Sequence, residues 1–457
     1  MASAIRRTLA YCDRRRILRW LLDRARHAVG GASWQLARAR MIVRDASSRR
    51  NPLPPGSLSS ASLREARSDD RFYLRQHRLL GPIFKLFWGS GDLKICVVGF
   101  ARGRRLLNQH RGELRLVNTT DITSLVPDEY LRSMDPAIHP RYRRLFRNAL
   151  HADLVAQDET SYRRIVRDAL NVLAENSPTD LSPPRRFYAA LDRIANDALL
   201  LVLWGVAPDS RAAASLREAF GRLGPDGRVA HVGPPQIAAF ADLRRLLGEI
   251  VDGGAGEHSM LGRMRAAEPA AARDETAMGN AIYMVERGRH DLRDLLRWIV
   301  KYLSDDPSII AELRAPNADP DLAQACVLET LRLDQAELLG RKALSTFTFD
   351  GFRFPRGSWV SILIRESHRD PSVFDDPDVF RPKRFLGRRY STDHYAPFGI
   401  DEHQCLGASL VVRLSAIFVL ELTRGFDWKV IADGARRHGE LHWEPSPAFA
   451  IELRPRA

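Results

Sequence analysis

The sequence predicts a mainly α fold with small β sheets, one large domain of residues 57–457 behind an N-terminal arm of residues 1–56. Three observations carry this. Apolar residues recur at helical spacing through most of 120–305, notably Glu159–Leu173, Arg186–Trp204, Ser210–Leu223 and Pro235–Val251. Short runs rich in aromatic and β-branched residues lie at both ends of that stretch: Ile83–Trp88 and Leu93–Val98 around the turn Gly89-Ser90-Gly91, then Thr346–Phe349 and Trp359–Leu363. A loop-rich segment with Pro371, Pro377 and Pro382 separates the later strands from a helix expected over Ala408–Arg424, and a short strand region closes the chain.

The arm ends at Asn51-Pro52-Leu53-Pro54-Pro55-Gly56, a stiff break ahead of the body. Residues 1–50 hold thirteen arginines and three aspartates, so most of the net charge of +14 sits there. Ile17, Leu18, Leu21, Leu22, Ala25 and Val29 share one helical face in the arm. A basic amphipathic helix can lie on an anionic membrane surface, and it can equally pack on its own domain; both readings stand. No apolar run reaches the roughly 18 residues of a spanning helix, and no secretory signal core is present. Four widely spaced cysteines, Cys12, Cys96, Cys326 and Cys405, form no CxxC pair, which argues against a disulfide framework or a zinc site and favours a reducing cytoplasm. Only six of the 70 basic residues are lysine, a compositional bias rather than a nucleic-acid signal, and no nucleic-acid partner is expected.

Cys405 sits in Phe398-Gly399-Ile400-Asp401-Glu402-His403-Gln404-Cys405-Leu406-Gly407. A lone cysteine is more often a small core residue. Here its neighbours point elsewhere. Gly399 and Gly407 allow close backbone approach, and a loop of this kind can hold one thiolate with N–H groups aimed at the sulfur. The run resembles the cysteine-ligand loop of the haem-thiolate enzymes, the cytochrome P-450 superfamily. Asp401 departs from it, standing where the second glycine is usual, and Asp tolerates unusual backbone angles better than most residues.

Further segments carry the resemblance from about Leu63 to Leu453. Asp135-Pro136-Ala137-Ile138-His139-Pro140-Arg141-Tyr142-Arg143 is similar to a bacterial haem-propionate motif, with His139 and Arg143 four apart on one helix face. Glu329-Thr330-Leu331-Arg332 matches the family's Glu-x-x-Arg motif, and Phe380–Phe385 supplies Arg384 as its third member. Arg341 stands at a further propionate position. The resemblance implies a haem b (iron protoporphyrin IX) with Cys405 as axial ligand, His139, Arg143, Arg341 and His403 on its propionates and Phe398 among the residues holding it.

The long central helix breaks the pattern. Counting back from Asp306-Pro307, the positions where the family places an acid and an alcohol hold His290 and Asp291. No serine or threonine lies between Thr276 and Ser304. Ala281, Met284, Val285, Gly288, Leu292, Leu295 and Ile299 form an apolar stripe expected to face the pocket, with Asp291 the only ionisable group near it. Glu286, His290, Arg293 and Arg297 fall on the far side, where Glu286 can pair with His290. Asp291 either replaces the missing proton relay with bound water or pairs with Arg287. Asp291 and His290 are the candidate catalytic residues. The resemblance implies a monooxygenase inserting one oxygen atom into a lipid, terpenoid or secondary metabolite, with electrons from NAD(P)H through a ferredoxin reductase and a ferredoxin. The alternatives are a peroxide-using or an isomerase/dehydratase haem-thiolate enzyme, in the first of which Arg287 or Arg289 serves an acidic substrate, and a haem-binding scaffold without catalysis. Cytoplasmic placement, with peripheral membrane contact through residues 1–50, completes the expectation.

Overall fold

The computed structural model describes residues 51–456, apart from 58, 60, 88–92, 117–124, 129, 152, 176–180, 225–228, 230–231, 255, 336–337 and 440–441. The arm up to residue 50 and the Gly89-Ser90-Gly91 turn therefore lie outside the described residues. The observed architecture is the mainly α fold with small sheets that the sequence predicts. The described chain divides into two compact units.

The smaller unit comprises the described residues up to Val98 together with Leu106–Arg115 and Gly340–Ile362. Its centre is a five-stranded sheet ordered Ile83–Phe87, Leu93–Val98, Trp359–Leu363, Leu338–Ala343 and Leu114–Arg115. The first two strands pair antiparallel with Ile83 opposite Val97, and every residue of both is buried. Lys85 belongs there because its Nζ donates to the Pro54 carbonyl at 2.8 Å. The proline-rich break is thus fastened to the sheet, and the Pro52 carbonyl likewise accepts from the Arg353 N–H at 2.9 Å. A tight hairpin, Phe347–Phe349 with Phe352–Phe354, turns on Asp350 and Gly351, both at positive φ. That conformation suits the twist of two flanking strands, and Asp-Gly is a favoured pair for it.

The larger unit comprises Gly99–Arg105, Leu116–Leu339 and Leu363–Ala457. Helices at Glu159–Ala174, Pro183–Trp204, Arg211–Leu223 and Pro234–Asp252 meet the sequence expectation within a few residues at each end. The central helix runs Glu275–Asp305. Asp274 caps its start by accepting the Ala277 N–H at 2.9 Å, and Asp306-Pro307 ends it and opens the next helix. It packs along Pro183–Trp204 through a continuous apolar core that includes Leu191, Ala195, Leu199, Val285, Leu292 and Ile299. The last helix, Ala408–Gly425, starts three residues after Cys405. The sequence analysis did not anticipate the strand Leu338–Ala343 or the π turn Leu331–Gln335 that follows the helix Leu322–Thr330.

Candidate active site

The ligand loop is held by bonds along its whole length. Gly399 takes φ +103°, which a side chain rarely adopts, and this turn lets the Phe398 carbonyl accept the Cys405 N–H at 2.9 Å. Asp401 needs no such freedom: among the described non-glycine residues only Asp350 and Asp376 have positive φ. Instead its Oδ1 accepts the His403 N–H at 2.9 Å and its carbonyl accepts the Gln404 N–H at 3.0 Å. The aspartate replaces the missing glycine by making a side-chain turn. Arg143 Nη2 donates to the Gln404 carbonyl at 2.7 Å, and Arg104 Nη1 to the Ile400 carbonyl at 3.3 Å.

A buried ionic lock stands behind the loop. Arg332 donates to both oxygens of Glu329 at 2.7 and 2.9 Å. Arg384 Nε reaches Glu329 Oε1 at 3.1 Å, and the Arg381 N–H reaches the same oxygen at 2.9 Å. Arg332 also donates to the carbonyls of His368 and Pro377. His368, wholly buried between the rings of Phe100 and Tyr395, accepts the Ala396 N–H at 3.0 Å. Burial, with the charges of Arg332 and Arg369, holds its pKa well below the usual histidine value, so it stays neutral.

Cys405 is solvent-accessible, yet enough protein surrounds the thiol that burial pushes its pKa up. The Gly407 N–H donates to the sulfur and lowers the pKa, the charge of Asp291 raises it, and that of Arg143 lowers it. The structure therefore brings Cys405, Arg143 and Asp291 to one region. His139 and His403 join them, their ring centroids 4.8 Å apart. His139 is buried, and its Nε2 has no hydrogen-bond partner. Burial and the neighbouring Arg143 lower its pKa, leaving a neutral ring with an N–H to offer a carboxylate. Phe398 is half-buried and packs on the core beside Leu406. Arg341 lies in the smaller unit, buried on the strand Leu338–Ala343, with Nη1 donating to the Gly340 carbonyl at 2.9 Å.

Of the apolar stripe of the central helix, only Met284 and Gly288 are less than fully buried. Ala281, Val285, Leu292, Leu295 and Ile299 are all buried in the core. The less buried residues at mid-helix are Tyr283, Met284, Arg287 and Gly288, followed by exposed Asp291. Arg287 thus shares the Asp291 face, which hydrophobicity alone did not indicate. His290 does not join that face. Its Nδ1 lies 2.9 Å from Arg293 Nη1 and its Nε2 3.6 Å from Glu286 Oε1, the expected i,i+4 pairing. Burial and the nearby arginines lower its pKa against the pull of Glu286. This ionic ladder continues through Arg293 with Asp294 and Asp192, and Arg297 with Asp294 and Glu444.

The family model described as Cytochrome P450 matches residues 319–443, the stretch that holds the Glu329–Arg332–Arg384 lock and the Cys405 loop. Over that stretch the chain matches the cytochrome P450 superfamily. Abscisic acid 8'-hydroxylase 2 of Oryza sativa subsp. indica is 28% identical over 245 residues, 46% of this chain and 47% of that protein. Cytochrome P450 26A1 of Xenopus laevis is 38% identical over 112 residues, 23% of each chain. The chain spans about half the length or less of these curated relatives. Among solved structures, a retinoic acid-bound cyanobacterial CYP120A1 aligns with a TM-score of 0.69 at 20% identity, covering 89% of this chain and 100% of that one. A variant of the cytochrome P450 OleT in complex with arachidonic acid aligns with a TM-score of 0.65 at 15% identity, covering 89% and 99%. These two show the fold.

Haem is the prosthetic group of this superfamily, and the residues of the larger unit fit it. An accessible thiol that receives a backbone N–H suits an iron ligand. The orphaned, buried His139 Nε2 beside His403 and Arg143 suits an anionic propionate. Among the described residues, no helix is long and apolar enough to cross a membrane.

Proposed function

We propose that the protein is a haem-thiolate monooxygenase that inserts one oxygen atom into a hydrophobic carboxylic acid. The observation that carries it is the proximity of Cys405, held by the Gly407 N–H, to Asp291, whose charge reaches that thiol from the central helix. When bound, the haem supplies the iron at which oxygen is activated, with thiolate donation favouring O–O cleavage. Cys405 would hold the iron, His139, Arg143 and His403 would hold the propionates, and Phe398 would help to hold the group. Asp291, exposed at the middle of the central helix, holds and delivers the proton that an alcohol supplies elsewhere in the family. His290, tied into the ionic ladder, supports that helix rather than touching substrate. Arg287, on the same face as Asp291, meets the substrate carboxylate. The abscisic, retinoic and arachidonic acids in the names of similar proteins are all carboxylic acids and support this choice. Electrons come from NAD(P)H through a ferredoxin reductase and a ferredoxin. The arm, residues 1–50, makes peripheral contact with an anionic membrane from the cytoplasm, and its deletion abolishes binding to anionic vesicles.

One observation favours a second reading. The helix lacks the alcohol and carries an arginine on the pocket face, as a peroxide-driven enzyme with an acidic substrate would. Turnover assays with purified holoprotein separate the two. The reduced protein with CO shows the thiolate-ligated Soret band, and Cys405→Ser abolishes it. NAD(P)H with ferredoxin and reductase drives turnover, and Asp291→Asn slows it by about 100-fold. Turnover with hydrogen peroxide alone decides for the second reading. Bound haem without turnover under either condition overturns both.

A further inference from the structure

Residues 125–134, apart from 129, are fastened along the first half of the central helix by contacts that oxygen chemistry does not require. Thr276 Oγ1 donates to Asp128 Oδ2 at 2.9 Å. Val126 lies so close to Gly279 that a Cβ there would come within 2.6 Å of its Cγ2. The Leu131 N–H donates to Asn280 Oδ1 at 2.7 Å, and Asn280 in turn donates to the Thr276 carbonyl at 2.8 Å. At the end of this clasp the ring of Tyr130, wholly buried, stacks on Tyr283 at 3.9 Å between centroids and 17° between planes. The guanidinium carbon of Arg287, one turn further on, lies 5.6 Å from the centroid of the same Tyr283 ring. Tyr130, Tyr283 and Arg287 therefore form a column that begins in the clasp and ends on the helix face that carries Asp291.

We infer that Tyr283, braced by Tyr130, is a positioning residue that holds the Arg287 guanidinium for the substrate carboxylate. The inference rests on the carboxylic acid reading above. An arginine side chain has many rotamers, and the face of an aromatic ring limits them while its quadrupole favours the cation. The brace is itself rigid, since Tyr130 has no exposed surface and its segment is held to the helix by two hydrogen bonds and the close packing of Val126 on Gly279. Burial, and then Tyr283, raise the Tyr130 pKa, so Tyr130 adds no negative charge to compete with the carboxylate.

The test is binding, read as the Soret shift and Kd for retinoic acid and its methyl ester with full-length holoprotein. The wild type binds the acid about tenfold more tightly than the ester, the scale of one charge-assisted bond. Tyr283→Leu brings that ratio close to one, leaves the ester Kd within about twofold and keeps the CO-bound spectrum. Tyr283→Phe, which retains the ring, keeps the wild-type ratio. Should Tyr283→Leu fail to fold, Tyr283→Met removes the ring at similar volume and gives the same reading. Tyr130→Leu lowers the ratio in the same direction. If Arg287→Gln leaves the acid preference intact, or the wild type has none, the carboxylic acid reading falls and this inference with it. If Arg287→Gln abolishes the preference while Tyr283→Leu and Tyr283→Met keep it, the positioning role alone is overturned.

Discussion

Two residues of the ligand loop show how one backbone problem is solved in two ways. Gly399 occupies positive φ with its nearest neighbour, Gln404 Cα, at an ordinary 3.5 Å from a built Cβ. Gly399→Ala therefore costs backbone strain rather than a clash, about 1–3 kcal/mol, seen as a lower urea midpoint with a weaker thiolate-type CO spectrum. Asp401 works through its side chain, whose Oδ1 holds the His403 N–H. Asp401→Gly brings the loop nearer to the family pattern yet lowers stability by about 1 kcal/mol, because a hydrogen bond is lost and backbone entropy gained. An unchanged or higher midpoint would show that the bond contributes nothing. The place of Cys405, and of the charges that attend it, was legible because local spacing carries it. The adaptation of Asp401 was legible only as tolerance, since its bond depends on a turn closed by residues on both sides. Arg287 fell outside the apolar stripe for a physical reason. The most apolar stripe of a helix marks the core, and a pocket that takes a polar substrate and an acid need not share it.

At the scale of elements, the helices and hairpins with strong period or turn chemistry were legible, and those defined by partners were not. Glu286 and His290 pair as their i,i+4 spacing indicates. The strand Leu338–Ala343 has no alternation of its own and gains its form by pairing Ala343 with Leu114. The clasp on the central helix was likewise hidden, since Asn280 and Gly279 acquire meaning only once residues 125–134 lie against them. His368 links two elements, the lock and the ligand loop, and its neutrality has a pH signature. An unfolded histidine binds a proton near pH 6.5, whereas folded His368 does so only at a much lower pH. The folded state is thus fully favoured above about pH 6.5 and loses stability as pH falls toward the depressed value, by up to about 1.4 kcal/mol per unit. Between pH 7 and 5 the wild type should lose about 2 kcal/mol more than His368→Gln, whose amide oxygen keeps an acceptor without titrating. Urea unfolding at the two pH values measures this, and equal losses would remove His368 from the account.

For the molecule as a whole, the fold class follows from patterning, but its tolerance of acid follows from charges buried inside the larger unit. Burial alone would raise the pKa of Asp334, Asp294 and Glu286; in each case neighbouring hydrogen-bond donors and guanidiniums outweigh it. Asp334, buried against Arg365, Arg436 and Arg369, is brought down to about 2. Asp294 is held below the usual range by His442 and Arg293, and Glu286 by His290 and Arg289. A carboxylate with a depressed folded pKa stabilises the protein above its unfolded value near 4 and loses that contribution as pH falls through the folded value. The three together make the window from about pH 4 down to about pH 2 the steepest part of the stability profile. Asp334 gives the sharpest test. Its loss leaves three guanidiniums without their common anion, so Asp334→Asn costs about 3–5 kcal/mol at pH 7. The same variant has one carboxylate fewer to titrate, so its urea midpoint falls less steeply between pH 4 and 3 than that of the wild type. A variant as stable as the wild type at pH 7, with an identical acid slope, would mean that the Asp334 cluster contributes nothing net, as some buried ion pairs do when desolvation cancels attraction.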